Sequence, residues 1–174
     1  MKSAFVSLAA VALLAGCSSM GSTPFDGPRA AATLEPTKGN RVAGTVTFVE
    51  RMGQVVVTAD VTGLAPNQEH GFHVHEKGDC SSGDGMSAGG HFNPDGKPHG
   101  PQTGPHHAGD MPSLKADANG VAKASFVLDD VTVVAGAKSV VGRGLIVHKD
   151  PDDYKTQPTG NAGARLACAV IRAS

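Results

Sequence analysis

The sequence predicts an all-β protein, an antiparallel sandwich or barrel that carries long irregular loops. Short runs with alternating or β-branched residues are typical of strands, and clusters of Gly, Pro, Asn and Asp separate these runs. After the apolar N-terminal stretch, no segment shows the 3.6-residue periodicity of an amphipathic helix. Several short strands joined by turns in this way are typical of sandwiches and barrels.

Alternation along the chain defines the individual strands. In the first run, Val46 and Phe48 face one side and the intervening threonines face the other. The segments 77–119 and 150–163 show no such pattern, so we expect them to be functional loops mounted on the strands. The predicted strands are 41–50, 53–64, 69–76, 120–133, 142–150 and 164–173.

The N-terminus is typical of an exported protein. Residues 1–16 combine an early lysine, an apolar run and small residues, which predicts a secretory signal peptide. "LAGC" at 14–17 resembles a bacterial lipobox, in which Cys17 becomes the lipidated first residue; the alternative is ordinary cleavage nearby, with Cys17 discarded or left free. Residues 17–30 then form a flexible tether and residues 31–174 the folded domain.

Composition limits the partners. The formal net charge of −1 argues against a nucleic-acid partner, which would require a basic face. No later stretch is long and apolar enough to span a bilayer, so we expect membrane contact only through the lipid. Export would place the domain in the periplasm or cell envelope, anchored to a membrane.

The three cysteines favour one disulfide. If Cys17 is lipidated, Cys80 and Cys168 remain as a pair in a compartment that permits disulfides. Two cysteines alone do not complete a tetrahedral thiolate zinc site. A Cys80–Cys168 disulfide is therefore the favoured interpretation.

The "HVH" motif predicts half of a metal site. His73 and His75 are two residues apart in a predicted strand, so their side chains project from the same face. Two neutral imidazoles on one face suit copper or zinc, although either ring alone could be a core histidine. His148, at the end of another predicted strand, gains importance only as a fourth imidazole for this site.

The stretch "GGHFNPDGKPHGPQTGPHHAGD", residues 89–110, predicts a second site. It is too rich in glycine and proline to adopt one shape unaided, and an irregular segment of this length is usually functional or disordered. Three imidazoles and one carboxylate would satisfy a tetrahedral zinc ion and thereby order the loop. These candidate ligands are His91, His99, His107 and Asp110.

Five segments in order resemble the copper–zinc superoxide dismutases. They are "GFHVHE", "GGHFNP", "HHAGD", "GRGLIVH" and "GNAGARLACAVI", and the resemblance extends over roughly residues 31–174, in the manner of a bacterial secreted, lipoprotein-type member. The resemblance implies a Greek-key antiparallel β-sandwich or flattened barrel of immunoglobulin-like architecture, with long loops ordered by metal.

The resemblance also implies two metal ions per subunit, one copper and one zinc. His91 would bind both, and His91 and Arg165 would be the catalytic residues. Extended residue by residue, it implies copper ligands His73, His75, His91 and His148, and zinc ligands His91, His99, His107 and Asp110.

Further roles follow from the same resemblance. Asp152 would link a copper histidine to a zinc histidine, and Arg165 would attract a small anion. Cys80 and Cys168 would form the intrasubunit disulfide. His106 is an alternative to His107 as zinc ligand, and His70 matches a structural histidine rather than a ligand.

The implied reaction is disproportionation of superoxide to dioxygen and hydrogen peroxide, which would protect the cell envelope from superoxide formed outside the cytoplasm. A non-catalytic periplasmic copper- or zinc-binding protein is the main alternative, and a catalytically silent adhesion domain is another. The insertion "SSGDGMSAGG" leaves monomer and homodimer both open. Only Lys149 and Lys155 provide lysines in the 149–163 loop, so this loop adds little positive charge for steering an anion.

Overall fold

The computed structural model describes residue 1 and residues 27–174. Within these residues the secondary structure consists of strands and one short 3-10 helix at Met86–Ala88, and no helix among them is long and apolar enough to cross a membrane. All of the predicted signal peptide except residue 1, Cys17, and most of the predicted tether lie outside the described residues. The strands are β1 Arg29–Pro36, β2 Ala43–Arg51, β3 Gln54–Thr62, β4 Glu69–His70, β5 Phe72–His75, β6 Leu114–Lys115, β7 Ala122–Leu128, β8 Gly144–His148, β9 Arg165–Val170 and β10 Arg172–Ala173.

Eight strands form one antiparallel sheet that curls into two packed halves. The spatial order is β5-β8-β9-β1-β2-β3-β7, with β10 also paired to β1, and β4 pairs separately with β6. Strand β1 joins the halves, because Arg29 to Leu34 pair with β2 while Glu35 and Pro36 pair with β9. A strand that passes from one half to the other forms the corner of a sandwich or barrel. The all-β antiparallel prediction is confirmed.

The core lies between the two halves of the sheet. Along β3 the buried residues alternate with exposed ones, as expected for a strand with one face on the core. The largest buried side chains include Phe48 from β2 and Phe72 from β5. Full burial of such a side chain contributes about 1.5–3 kcal/mol to folding. This core holds β5 and β8 rigidly, and those two strands carry three of the candidate ligands.

Strands β5 and β8 are buried on both faces. The loop that follows β5 folds back over it, since the Val74 N–H donates to the Gly109 carbonyl and the Phe92 N–H donates to the Val74 carbonyl, both at 2.9 Å. Gly109 is required at this contact, because a Cβ there would lie 2.2 Å from the Val74 carbonyl oxygen. The strand and the loop thus bring histidines of both predicted sites together.

A disulfide ties the loop after β5 to β9. Cys80 and Cys168 are bonded, with their Cα atoms 5.9 Å apart, across a sequence separation of 88 residues. The predicted pairing is therefore confirmed. In the chain-entropy model a loop of this length restricts the unfolded state by about 4–5 kcal/mol.

The observed strands differ from the predicted ones in more than their end points: β1 was not predicted, β6 lies within the expected 77–119 loop, and the predicted strands 69–76 and 164–173 are each divided. Strand β1 was not predicted, because its alternating buried residues include two alanines, Ala30 and Ala32, which have low β propensity. The predicted strand 69–76 is divided at Gly71. Its first part pairs with β6 and its second part with β8, so the division directs the chain toward the metal-site histidines.

Candidate metal centre

The first cluster of histidines is formed by two neighbouring strands. His73 and His75 project from the same face of β5, and His148 lies at the end of the adjacent β8. The rings of His75 and His148 are stacked with their centroids 5.5 Å apart, and His73 lies 4.9 Å from His148. His91 completes the cluster from the following loop, paired with His75 by an isolated β-bridge. One ligand atom from each of the four residues lies within 4.8 Å of the others.

The second cluster is formed by the 89–110 loop. His91, His99, His107 and Asp110 each place one ligand atom within 4.8 Å of the others, and all four are buried. Around the Asp110 carboxylate, the Nδ1 atoms of His91, His99 and His107 lie at 2.7, 2.9 and 3.4 Å. Three nitrogens and one carboxylate converge here from a segment without regular strands.

His91 belongs to both clusters. Its ring lies 4.0 Å from that of His73 on one side and 5.6 Å from that of His107 on the other. Nδ1 of His91 is bonded to Asp110, whereas Nε2 is buried without a hydrogen-bond partner. One imidazole therefore presents a nitrogen to each cluster.

Hydrogen bonds to main-chain carbonyls use one nitrogen of the His75 ring and one of the His148 ring, and leave the other nitrogen of each as a possible metal ligand. His75 donates from Nδ1 to the Gly89 carbonyl at 2.9 Å, and His148 donates from Nδ1 to the Gly163 carbonyl at 3.3 Å. Their Nε2 atoms therefore carry lone pairs, yet these two atoms lie only 3.3 Å apart. Two lone pairs that face each other at this distance repel, and a cation between them would remove the repulsion.

Buried ring nitrogens without hydrogen-bond partners give a further test of whether the two clusters fit metal ions. A buried polar atom without a hydrogen bond costs about 1–3 kcal/mol, so native structures contain few of them. Nδ1 of His99 and Nδ1 of His107 lack hydrogen-bond geometry although each lies near Asp110. Imidazole and carboxylate donors suit copper and zinc, so the residues fit the two cations. Within the clusters the unpartnered atoms are His73 Nδ1, His91 Nε2, His99 Nδ1 and His107 Nδ1.

Asp152 links the two clusters through the outer sides of their rings. Its carboxylate accepts from Nε2 of His73 at 2.7 Å and from Nε2 of His99 at 2.9 Å. Gly160 is required beside it, because a Cβ there would lie 1.9 Å from Asp152 Oδ1 and 2.5 Å from His99 Nε2. The Asp152 carboxylate thus lies between one ring of the first cluster and one ring of the second.

Burial and charge set the protonation of the first cluster. Burial lowers the pKa of His73 to about 4 and outweighs the bond to Asp152. Burial, followed by the charges of neighbouring histidines, lowers the pKa of His75 and of His148 well below the usual range. These rings are therefore neutral at neutral pH, as metal ligation requires.

The second cluster has the opposite electrostatics. Burial acts to lower the pKa of His99, but the carboxylates of Asp110 and Asp152 outweigh it and raise that pKa to about 9. Burial acts to raise the pKa of Asp110, but the hydrogen bond from His91 and the nearby ring of His99 hold that pKa well below the ordinary value. This cluster therefore combines the permanently ionised Asp110 carboxylate with imidazole nitrogens, and a divalent cation that binds here displaces the proton that His99 would otherwise hold.

Arg165 lies beside the first cluster and is fixed by main-chain carbonyls. In the sheet it is paired with His148, after a register shift between Val147 and His148. Its guanidinium donates to the Gly85 carbonyl at 2.6 Å and to the Gly89 carbonyl at 2.7 Å. Burial lowers the pKa of Arg165. Because the ordinary pKa of arginine is so high, the side chain nevertheless remains a cation at neutral pH.

Several contacts around the clusters are not predictable from the types of residue in the sequence. The carbonyls of Gly85 and Gly89 that hold Arg165 are main-chain groups and carry no side-chain signal. His106 lies outside both clusters, with Nδ1 donating to the Gly104 carbonyl at 2.6 Å, so the structure places His107 in the second cluster instead. His70 also lies outside them and donates from Nδ1 to the His148 carbonyl at 2.9 Å.

The curled antiparallel sheet carries two adjacent imidazole clusters that share one ring. This arrangement is that of a metalloprotein able to bind two cations side by side. A family model described as copper/zinc superoxide dismutase (SODC) matches residues 42–171. The chain belongs to the copper/zinc superoxide dismutase family. It is an oxidoreductase that disproportionates superoxide, with copper and zinc as its cofactors.

Individual relatives agree with this assignment. A Cu-Zn superoxide dismutase of Paramecium bursaria Chlorella virus 1 is 46% identical over 137 residues, which cover 75% of this chain and 72% of the relative. Cu-Zn superoxide dismutase 2 of Aquifex aeolicus (strain VF5) is 43% identical over 151 residues, covering 83% and 86%. The crystal structure of the clock protein EA4 superposes with a TM-score of 0.76 at 39% identity, covering 87% of this chain and 98% of that one.

Proposed function

We propose that the two clusters divide the metals between them, with one copper ion and one zinc ion per subunit. The first cluster offers only imidazoles, which suits a copper ion that changes oxidation state. The second adds the Asp110 carboxylate, which completes a tetrahedral zinc site. The copper ligands are His73, His75, His91 and His148, and the zinc ligands are His91, His99, His107 and Asp110.

The observation that carries this proposal is the position of His91. Its Nδ1 is fixed on the zinc side by Asp110, and its buried Nε2 faces the copper side without a partner. A single-cation binding protein would have no use for a ring with one nitrogen in each of two clusters. The shared ring therefore favours the dismutase over the metal store.

In the reaction, one superoxide gives up an electron and leaves as dioxygen, and a second takes that electron and two protons to become hydrogen peroxide. Bound copper supplies the one-electron redox centre, while zinc has no redox chemistry. Arg165 holds its cationic guanidinium beside the first cluster, where it attracts and orients the anion. Nε2 of His91 is the ring atom at which a proton can be held for the product.

The location of the protein is a separate part of the proposal. We infer that residues 1–16 direct export, that Cys17 is lipidated, and that residues 17–30 tether the domain of residues 31–174 to a membrane of the cell envelope. The support is the "LAGC" sequence at the expected cleavage position together with the disulfide, which forms in oxidising compartments. The domain would then remove superoxide that arises outside the cytoplasm.

Metal analysis coupled to superoxide consumption tests the division of metals. The purified protein should contain about one copper and one zinc ion per chain, and cyanide should inhibit its turnover. His107→Gln should lose zinc, whereas the matched variant His106→Gln should retain it, because only His107 lies in the second cluster. Equal zinc contents in both variants would contradict the ligand assignment.

Fractionation tests the location. In a bacterial host, the full chain should partition with membranes and incorporate labelled fatty acid, and Cys17→Ser should do neither. A wild-type chain that carries no label and stays in the cytoplasmic fraction would contradict export and lipidation together.

A further inference from the structure

Gln157 makes a paired hydrogen bond with the main chain of His99, 58 residues away. The His99 N–H donates to Gln157 Oε1 at 2.8 Å, and Gln157 Nε2 donates to the His99 carbonyl at 2.9 Å. The side-chain amide thus satisfies both main-chain groups of one residue, as a neighbouring strand would. Neither the sequence motifs nor the ligand assignment involves Gln157.

His99 needs such a partner because no strand holds it. It lies in the Gly- and Pro-rich loop, outside the strands of the described residues, yet its ring is buried between two carboxylates. Nδ1 of the ring lies 2.9 Å from Asp110 Oδ2, and Nε2 lies 2.9 Å from Asp152 Oδ1. A small shift of the His99 main chain would move the ring out of line with both oxygens.

Gln157 and Asp152 belong to the same loop, so that loop holds His99 at two points. Asp152 fixes the outer nitrogen of the ring, and Gln157 fixes the main chain from which the ring projects. Two fixed points determine the direction of the ring, whereas the bond from Asp152 alone would allow it to swing. The remaining nitrogen, Nδ1, is thereby aimed at the second cluster.

We infer that Gln157 is a positioning residue for the zinc ligand His99, acting through the main chain of that ligand. This inference rests on the proposed zinc site. Gln157 is itself an exposed residue, so shortening or replacing its amide removes the two hydrogen bonds without opening a cavity in the core. Its contribution is therefore a matter of geometry at the metal site rather than of packing.

Three variants separate the contributions. Gln157→Met keeps the length of the side chain and removes both hydrogen bonds to His99, together with a longer one, 3.3 Å, from Gln157 Nε2 to the Lys155 carbonyl. Gln157→Glu keeps an acceptor for the His99 N–H but loses the donor to the His99 carbonyl. Thr159→Ala is the matched control, because it lies in the same loop and makes none of these bonds.

The readouts are the zinc dissociation constant, from competition with a chromophoric chelator, and the visible absorption of Co²⁺ bound in place of zinc. Loss of a partner outside the ligand set typically weakens metal binding by about 10–100-fold, and we expect Gln157→Met near the lower end, about tenfold. Gln157→Glu should fall between Gln157→Met and the wild type. Gln157→Met should also alter the Co²⁺ spectrum, while Thr159→Ala should match the wild type in both measurements.

Wild-type zinc affinity together with an unchanged Co²⁺ spectrum in Gln157→Met would overturn the inference. So would a lower melting temperature of the metal-free protein with unchanged zinc affinity, since that result means a purely structural role. If Gln157→Met does not fold, Gln157→Glu decides on the same criteria. Failure of the underlying zinc site is distinguishable, because Asp110→Ala would then bind zinc as tightly as the wild type.

Discussion

Replacing Asp152 by asparagine tests how the two clusters are coupled. The carboxylate accepts a hydrogen bond from His73 at 2.7 Å and another from His99 at 2.9 Å, and all three side chains are buried. The amide of an asparagine has the same shape but only one acceptor oxygen. One ring N–H would then face the amide NH₂, which is also a donor.

The expected loss falls mainly on zinc. A hydrogen bond to a charged group contributes about 1.5–3 kcal/mol, and each 1.4 kcal/mol corresponds to a factor of ten. His73 is held by the pairing of β5 with β8, whereas His99 lies in an irregular loop, so His99 is the ring that moves. We expect Asp152→Asn to raise the zinc dissociation constant by about 10–100-fold and to change copper affinity far less.

A competition titration of the metal-free protein with a chromophoric chelator measures both constants. Asp153→Asn is the matched control, because it removes the same charge from the next residue, whose carboxylate bonds the exposed Thr156 instead of a ring. Equal zinc affinities of Asp152→Asn and Asp153→Asn would refute the reasoning. A larger loss of copper than of zinc would also refute it, since the strand would then not protect His73.

Three further predictions concern charge, pH and the disulfide. Arg165→Glu should reduce the rate of superoxide consumption severely at low salt while both metals remain bound; full activity in stopped-flow assays would exclude the anion-guiding role. A hydrogen bond from the Thr132 hydroxyl lowers the pKa of Glu50, so this carboxylate stabilises the fold above its unfolded pKa, and that stabilisation is lost as the pH falls through its folded pKa. The destabilisation of Glu50→Gln, from urea unfolding, should therefore shrink at acid pH; a constant difference would contradict the assignment. The double variant Cys80→Ser, Cys168→Ser should lose about 2–5 kcal/mol of unfolding free energy, and unchanged stability would show that loop closure contributes nothing.

Much of the site could be predicted because its side chains are chemically distinctive. The two-residue spacing of His73 and His75 indicates one face of a strand, and the structure places both rings together in β5. The spacing of residues in the 89–110 loop indicates donors of the right type, although only the folded chain shows that they converge on Asp110. The all-β class followed from alternation, which reports directly on which residues are buried.

What could not be predicted depends on main-chain geometry and on ordinary residue types. The carbonyls that hold Arg165 come from Gly85 and Gly89, and a carbonyl is present in every residue. Gln157 is a common surface residue whose role appears only when the fold brings it to His99. Strand β1 could not be predicted because two of its buried residues, Ala30 and Ala32, are alanines, which carry little β propensity.

The pairing of β5 with β8 has a consequence for how the enzyme matures. The nitrogens of His75 and His148 come within 3.3 Å although the residues are 73 positions apart in sequence. A chain that ends before β8 therefore lacks one of the four imidazoles of the first cluster, and the cluster is complete only once two strands far apart in sequence have paired.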